Sequence, residues 1–137
     1  MLTRSEEARE LALELGAASA GAADAAPPEP LDAAVLFAPV GELVPVAMRA
    51  LDQGGTLAVA GIHLTDVPRL VYAEELFREK QVRSVTANTR ADGEEFLRLA
   101  AALRVLPTVT RRPLDEADRV LADLADDRIT GAAVLVP

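Results

Sequence analysis

The sequence predicts an α/β fold built on a mostly parallel sheet. Two observations carry this expectation: short apolar runs without polar alternation, as in strands covered on both faces, and segments of helical period lying between them. Strand, helix, turn and strand succeed one another between Ala33 and Ala60, the reach of a βαβ unit.

From Ser5 the chain reads as a helix, because Ala8, Leu11, Ala12 and Leu15 recur on one face behind the first-turn Glu6 and Glu7. Gly16 ends it in a left-handed cap. Residues Ala17 to Pro30 are alanine-rich and close on Pro27, Pro28 and Pro30, the composition of a loop with one short edge strand near Ser19. Ala33 to Ala38 is the first buried strand. Leu43, Val46, Ala47 and Ala50 give a helix that tolerates Pro45 in its first turn, and Gly54-Gly55 breaks it before a second strand, Thr56 to Ala60. A short helix over Ala73 to Glu79 and a third strand over Val82 to Ala87 come next. After Asp92-Gly93, Phe96, Leu99, Ala100 and Leu103 form one helical face. Leu106 to Arg112 reads as a short strand, Ala117, Val120, Leu121 and Leu124 as the inward face of a last helix, and Ala132 to Val136 as a closing strand.

Composition narrows the function. The 137 residues are half hydrophobic, enough for a core, and carry 14 Lys+Arg against 22 Asp+Glu, a net charge of −8 that disfavours nucleic acid. The absence of cysteine excludes disulfides, a thiol nucleophile and thiolate zinc within these residues. No apolar run approaches the roughly 18 to 20 residues of a membrane helix, and the segment around Arg4, Glu6 and Glu7 is unlike a signal peptide, so a cytoplasmic protein is expected. All basic residues except Lys80 are arginine, a bias of GC-rich coding rather than of chemistry.

In a parallel α/β sheet, ligands sit at the carboxyl ends of the strands. Those ends are Phe37-Ala38-Pro39-Val40, Gly61-Ile62-His63-Leu64 and Thr86-Ala87-Asn88-Thr89, and one sheet would align them along a single rim.

The segment Arg49 to Gly61, with its Gln53-Gly54-Gly55-Thr56 turn, resembles the strand 5 region of zinc-type medium-chain alcohol dehydrogenases. Leu76-Phe77, Arg83 to Asp92 and Ile129 to Val136 are similar to the later segments of that family, in the same order, so the likeness spans essentially the whole chain. It implies an incomplete doubly wound, Rossmann-like sheet lacking its first strand and glycine-rich turn. Residues 1–105 would be a partial NAD(P)-binding domain, and 106–137 a segment returning to the catalytic domain. No G-x-G-x-x-G motif occurs. The resemblance places Thr3, Arg4 and Ser5 at the adenosine ribose, where an arginine favours the extra phosphate of NADP over NAD; a solvated arginine beside a helix start is the plainer reading. It places Phe37, Ala38, Pro39 and Val40 near the nicotinamide ribose, Ile62, His63 and Leu64 at the carboxamide, and Thr86, Ala87 and Asn88 in the loop after strand 6.

His63, the only histidine, is expected to border the cofactor rather than to move a proton, since no paired carboxylate or nucleophile is evident. Asn88 and Arg90 either touch ligand or cap the following helix. Asp123, Asp126 and Asp127 read as a solvated acidic face rather than a metal site. Where many relatives carry a basic residue, Gly131 is followed by Ala132 and Ala133, which removes one expected phosphate contact.

Three functions are expected, in descending order. The first is a truncated NAD(P)-dependent alcohol dehydrogenase, inactive without a partner chain that supplies the missing half, zinc being a family cofactor with no ligands here. The second is a non-catalytic assembly module that dimerises through the Val82–Ala87 edge. The third is a methyltransferase-like sheet, which would close in an antiparallel hairpin. Loss of the first strand leaves the Ala33–Ala38 strand as an open edge and the product prone to aggregate.

Overall fold

The computed structural model describes residues 1–137 except Val105, Leu106, Asp127 and Thr130. The chain separates into two compact units, Met1–Ala87 and Asn88–Pro137. The domain boundary expected between 105 and 106 lies outside the described residues, as do Leu106 of the expected fourth strand and Asp127 of the acidic cluster.

The first unit opens with an isolated parallel bridge between Leu2 and Gly21. Helix α1, Glu6–Glu14, is capped by the Ser5 hydroxyl, which accepts from Ala8 N at 3.2 Å. Gly16 sits at φ 96° just beyond it, the left-handed stop that the sequence predicts. The sheet contains β1, Leu31–Leu36, β2, Leu51–Val59, and β3, Gln81–Ser84, in the order β1-β2-β3 with both pairs parallel. Helix α2, Leu43–Ala50, packs on both β1 and β2, and the short α3, Tyr72–Glu75, leads towards β3.

The core lies between α2 and the sheet. Leu36, Val44, Met48, Leu51, Leu57 and Val59 are buried together, and Met48 and Leu57 are wholly inaccessible, each stabilising by about 1.5–3 kcal/mol relative to exposure. The register sets Ala34 beside Leu57 and Leu36 beside Val59 on the helix side, and Ala33 beside Thr56 and Val35 beside Ala58 on the other. That second face is open: Ala33 is exposed and Val35 is 58% exposed. The expectation that this strand is covered on both faces therefore fails. Alanine and valine fit either environment, and nothing among the described residues covers them.

Helix α2 does not wait for Gly54-Gly55 to stop. It passes directly into β2 at Leu51, which is already extended at ψ 145°, and the register steps from Leu31/Leu51 to Ala33/Thr56, leaving Asp52 to Gly55 as an irregularity within β2. An ammonium makes this turnless exit possible. Lys80, 9% exposed, donates to Met48 O at 2.7 Å and to Glu74 O at 3.4 Å, satisfying a carbonyl that the helix end would orphan. Lys80→Met keeps the stem and removes the donor. It is expected to cost about 1–3 kcal/mol, read as a lower urea midpoint. Beside it the carboxylate of Glu75, 1% exposed, pairs with Arg49 at 2.5 Å and accepts from Val71 N.

The second unit contains α4, Arg90–Leu103, β4, Val109–Pro113, a 3-10 turn at Leu114–Glu116, α5, Ala117–Ala125, and β5, Ala132–Val136. β4 and β5 pair in parallel from Val109/Ala132 to Pro113/Val136, so the antiparallel closing hairpin of the methyltransferase-like alternative does not exist. The helical faces read from the sequence are real, but most of their apolar residues meet water. On α5 only Val120 is buried while Leu121 and Leu124 are exposed, and on α4 Phe96, Leu99 and Leu103 are all exposed.

α4 starts three residues before the expected Gly93, because Thr89 and Asp92 form a reciprocal capping box: Asp92 N donates to the Thr89 hydroxyl and Thr89 N to the Asp92 carboxylate. The cap is thus Thr89, not Asn88 or Arg90. The donations from Thr89 N and from the Thr89 hydroxyl, at 2.8 and 2.7 Å, hold the Asp92 carboxyl below its ordinary value. A depressed carboxyl stabilises the fold at neutral pH, and the benefit is lost as pH falls through its lowered value. Thr89→Ala is expected to cost about 1 kcal/mol and to abolish an acid-induced fraying of the first turn of α4, followed by amide NMR from pH 6 to pH 3.

Candidate functional site

The carboxyl ends of β1, β2 and β3 form one rim. Phe37 follows β1 directly, Ile62 comes three residues after β2, and Thr86 two after β3. These strands are adjacent and co-directional. The ladder continues beyond their formal ends: Ala60 N and Gly61 N donate to Leu36 O at 2.9 and 3.2 Å, and Val85 N to Val59 O at 2.9 Å. A side chain on Gly61 would lie 3.2 Å from the carbonyl oxygens of Phe37 and Ala38, so glycine lets these two strand ends approach closely.

The loops beyond are tied together. Gly41 is buried at the start of α2, and its N–H donates to the Thr65 hydroxyl at 2.8 Å. Thr65 N donates to Pro39 O at 3.4 Å and the Thr65 hydroxyl to Glu42 at 3.3 Å. α2 has no side-chain cap at Glu42; its first amides, of Leu43 and Val44, donate to Val40 O and Gly41 O at 3.2 and 3.0 Å, and a residue 24 positions away in sequence accepts from the backbone just before it. A Cβ on Gly41 would fall 2.2 Å from Asp66 O and 2.5 Å from Thr65 O. Gly41, Glu42 and Thr65 carry no motif that marks them in the sequence.

Of the residues that the sequence points to, Phe37 to Val40 and Ile62 to Leu64 are brought together at the first two strand ends. Phe37 is 75% and Ile62 83% exposed, while Ala38, Val40 and Leu64 are half-buried, and Pro39 and His63 are exposed. Thr86 and Ala87 continue exposed beyond β3. Asn88 begins the second unit. Thr3, Arg4 and Ser5 lie elsewhere in the first unit, beside the Leu2–Gly21 bridge. Thr3 N donates to Gly21 O at 2.9 Å, and the Arg9 guanidinium donates to the carbonyls of Thr3 and Arg4 at 3.0 and 3.2 Å. The Ser5 hydroxyl is engaged as the α1 cap, and Arg4 is exposed.

Zinc does not fit these residues. There is no cysteine and one histidine, and the described residues contain no cluster able to hold a metal. Asp123 and Asp126 instead flank Arg128, at 2.9 and 2.5 Å, and raise its pKa further above the ordinary arginine value. A dinucleotide fits in part. The paired strand ends offer backbone groups and apolar surface to a nicotinamide ring, while the chain has no glycine-rich turn for the diphosphate.

No family model matches the chain. It is 58% identical over 136 residues, 99% of its length, to a probable alcohol dehydrogenase AdhA of Mycobacterium tuberculosis (strain CDC 1551 / Oshkosh), of which it covers 39%. It is also similar to the solved alcohol dehydrogenase of the archaeon Aeropyrum pernix, with TM-score 0.77 and 24% identity over 99% of this chain and 42% of that one. Against the Bacillus subtilis protein yhfP, solved with NAD bound, the TM-score is 0.76 at 18% identity, covering 99% of this chain and 46% of that one. The chain thus spans about two fifths of the length of the curated relative it matches. With an ordered parallel rim and a parallel closing pair, the chain is similar along its whole length to part of alcohol dehydrogenases.

Proposed function

We propose that these residues form the nicotinamide-facing part of an NAD(P)-dependent alcohol dehydrogenase, a part that does not turn over alcohol by itself. The observation that carries this is the joined rim of Phe37–Val40 and Ile62–Leu64, held by the Thr65–Gly41 tie. When bound, the nicotinamide supplies hydride transfer to or from an alcohol or aldehyde carbon. The part of this chain is to orient it. Exposed Phe37 and Ile62 shield one side from water, and backbone groups of residues 62–64 meet the carboxamide, with Thr86 and Ala87 extending the contact. Thr3, Arg4 and Ser5 take the adenosine end, and Arg4 favours NADP. His63 borders the ring without moving a proton.

Titration with NADP+ and with NAD+, followed by amide NMR, tests this reading. Shifts are expected to concentrate at Phe37 to Val40 and Ile62 to Leu64, with tighter binding of NADP+ and no alcohol oxidation by the chain alone. Absence of shifts on the rim at millimolar cofactor would overturn it.

A second reading, self-assembly through β3, is favoured by the exposure of that whole edge strand, with Val82 42% exposed. Size-exclusion chromatography with light scattering separates the two: a dimer that ignores cofactor supports assembly. In either case the protein is expected to work in the cytoplasm.

A further inference from the structure

Arg9 holds every carbonyl of the tripeptide Thr3-Arg4-Ser5. Its Nη1 donates to Thr3 O at 3.0 Å and to Arg4 O at 3.2 Å, and its backbone N–H donates to Ser5 O at 3.2 Å. Other contacts fix the two ends of the same stretch: Thr3 N donates to Gly21 O at 2.9 Å, and the Ser5 hydroxyl accepts from Ala8 N. Helix formation does not explain where this guanidinium lies. Arg9 falls in the opening turns of α1, Glu6–Glu14, where the macrodipole disfavours a cation. Glu6, Glu7 and Glu10 are its neighbours in sequence, yet among the described residues Arg9 forms no ion pair. It turns back instead to the backbone that enters its own helix, and is half-buried there. Arg4 is exposed, and its side chain bonds to nothing among the described residues. Its carbonyl is tied while its guanidinium is free.

We propose that Arg9 is a positioning residue for cofactor selectivity: by holding the carbonyls of Thr3, Arg4 and Ser5 it aims the Arg4 guanidinium at the 2′-phosphate that distinguishes NADP from NAD. The inference rests on the cofactor reading above for the ligand, and on the bonds between Arg9 and the tripeptide for the residue. Two physical effects combine. An arginine on a wandering backbone gives up entropy when it orders around a ligand, and a backbone already held spares part of that loss. Carbonyl oxygens repel an anion, and three oxygens engaged by N–H donors keep their lone pairs from an entering phosphate. Arg9 does not touch the ligand. Arg4 does, and a guanidinium meets a phosphate through two parallel hydrogen bonds, so the strength of the pair is sensitive to aim.

The probes are adenosine 2′,5′-bisphosphate and AMP, which carry the adenosine end without the nicotinamide. Each is titrated into the whole chain and followed at the amide signals of Thr3, Arg4 and Ser5. The parent is expected to bind the bisphosphate about tenfold tighter than AMP. Arg9→Met keeps the stem and removes the guanidinium donors. It is expected to lower that preference about fivefold and to leave the AMP affinity as it was. Both probes meet the same variant, so any unfolded fraction weakens them alike and drops out of the ratio. A double-mutant cycle with Arg4→Ala separates aim from charge. An Arg9 that acts through Arg4 has nothing left to aim in the Arg4→Ala chain, and Arg9→Met is expected to leave the preference of that chain where it stood. The proposal is overturned by a preference that Arg9→Met does not lower, by an equal loss for both probes, by a loss that persists in the Arg4→Ala chain, and by a parent that shows no preference or binds neither probe. Titration with NADP+ and NAD+ keeps the two readings apart. Shifts at Phe37 to Val40 together with any of those results leave the function standing and remove Arg9 from it, and a bisphosphate preference set by Arg9 beside a silent rim does the reverse.

Discussion

Leu57→Ala is expected to abolish the cooperative unfolding transition of the first unit. Leu57 is wholly buried where β2 meets α2, in a core whose fully buried members include Met48 and Val44. Truncating such a leucine removes its transfer energy and leaves a cavity, about 2–5 kcal/mol in all. Domains are stable by only about 5–15 kcal/mol, and a unit with so few buried side chains and an open β1 edge sits near the lower bound. Urea unfolding followed by circular dichroism checks this. Val82→Ala, on the same face of the sheet but 42% exposed, is the control, with an expected loss of under about 1 kcal/mol. Equal losses from the two variants would mean that the core is not where the structure places it.

Gly41→Ala is expected to dismantle the rim. The added methyl group would lie 2.2 Å from Asp66 O and 2.5 Å from Thr65 O, and both obstacles are backbone, so the loop after β2 must move away. The expected cost is about 1–3 kcal/mol from overpacking, with loss of the hydrogen bond from Gly41 to Thr65 and a fall of tenfold or more in cofactor affinity. Thr65→Val separates steric displacement from the bond itself. It removes only the hydroxyl, costs about 0.5–1.5 kcal/mol, and is expected to leave Ile62 and His63 near their parent amide positions. If Gly41→Ala leaves the amide spectrum of residues 62–66 unchanged, the two loops are not joined in solution.

Legibility from sequence differed between fold and site. The apolar runs at Ala33 to Ala38, Thr56 to Ala60 and Val82 to Ala87 are enough to expect three neighbouring parallel strands, although β1 lies two residues earlier and β3 stops at Ser84. Because a strand's carboxyl end follows from the strand, the rim at Phe37 and Ile62 is legible too. The bonds that join it are not. Thr65 reaches Gly41 across 24 residues, Arg49 reaches Glu75 across 26, and Lys80 reaches Met48 across 32, and no local period reports on partners that distant.

By itself the sequence determined the alternation of strand and helix, the parallel sense of the sheet and the exclusion of a thiolate metal site, since each depends on residue type and on neighbours within a turn or a pleat. The tertiary structure alone decided which apolar faces are covered. Phe96, Leu99, Leu121 and Leu124 keep the spacing of buried residues and yet lie in water, because periodicity specifies a face that can be buried, while burial requires a second surface to meet it. It also decided that an acid and a base, Glu75 and Lys80, are buried at the end of α2, where a helix entering a strand without a turn leaves polar groups that only distant side chains can satisfy.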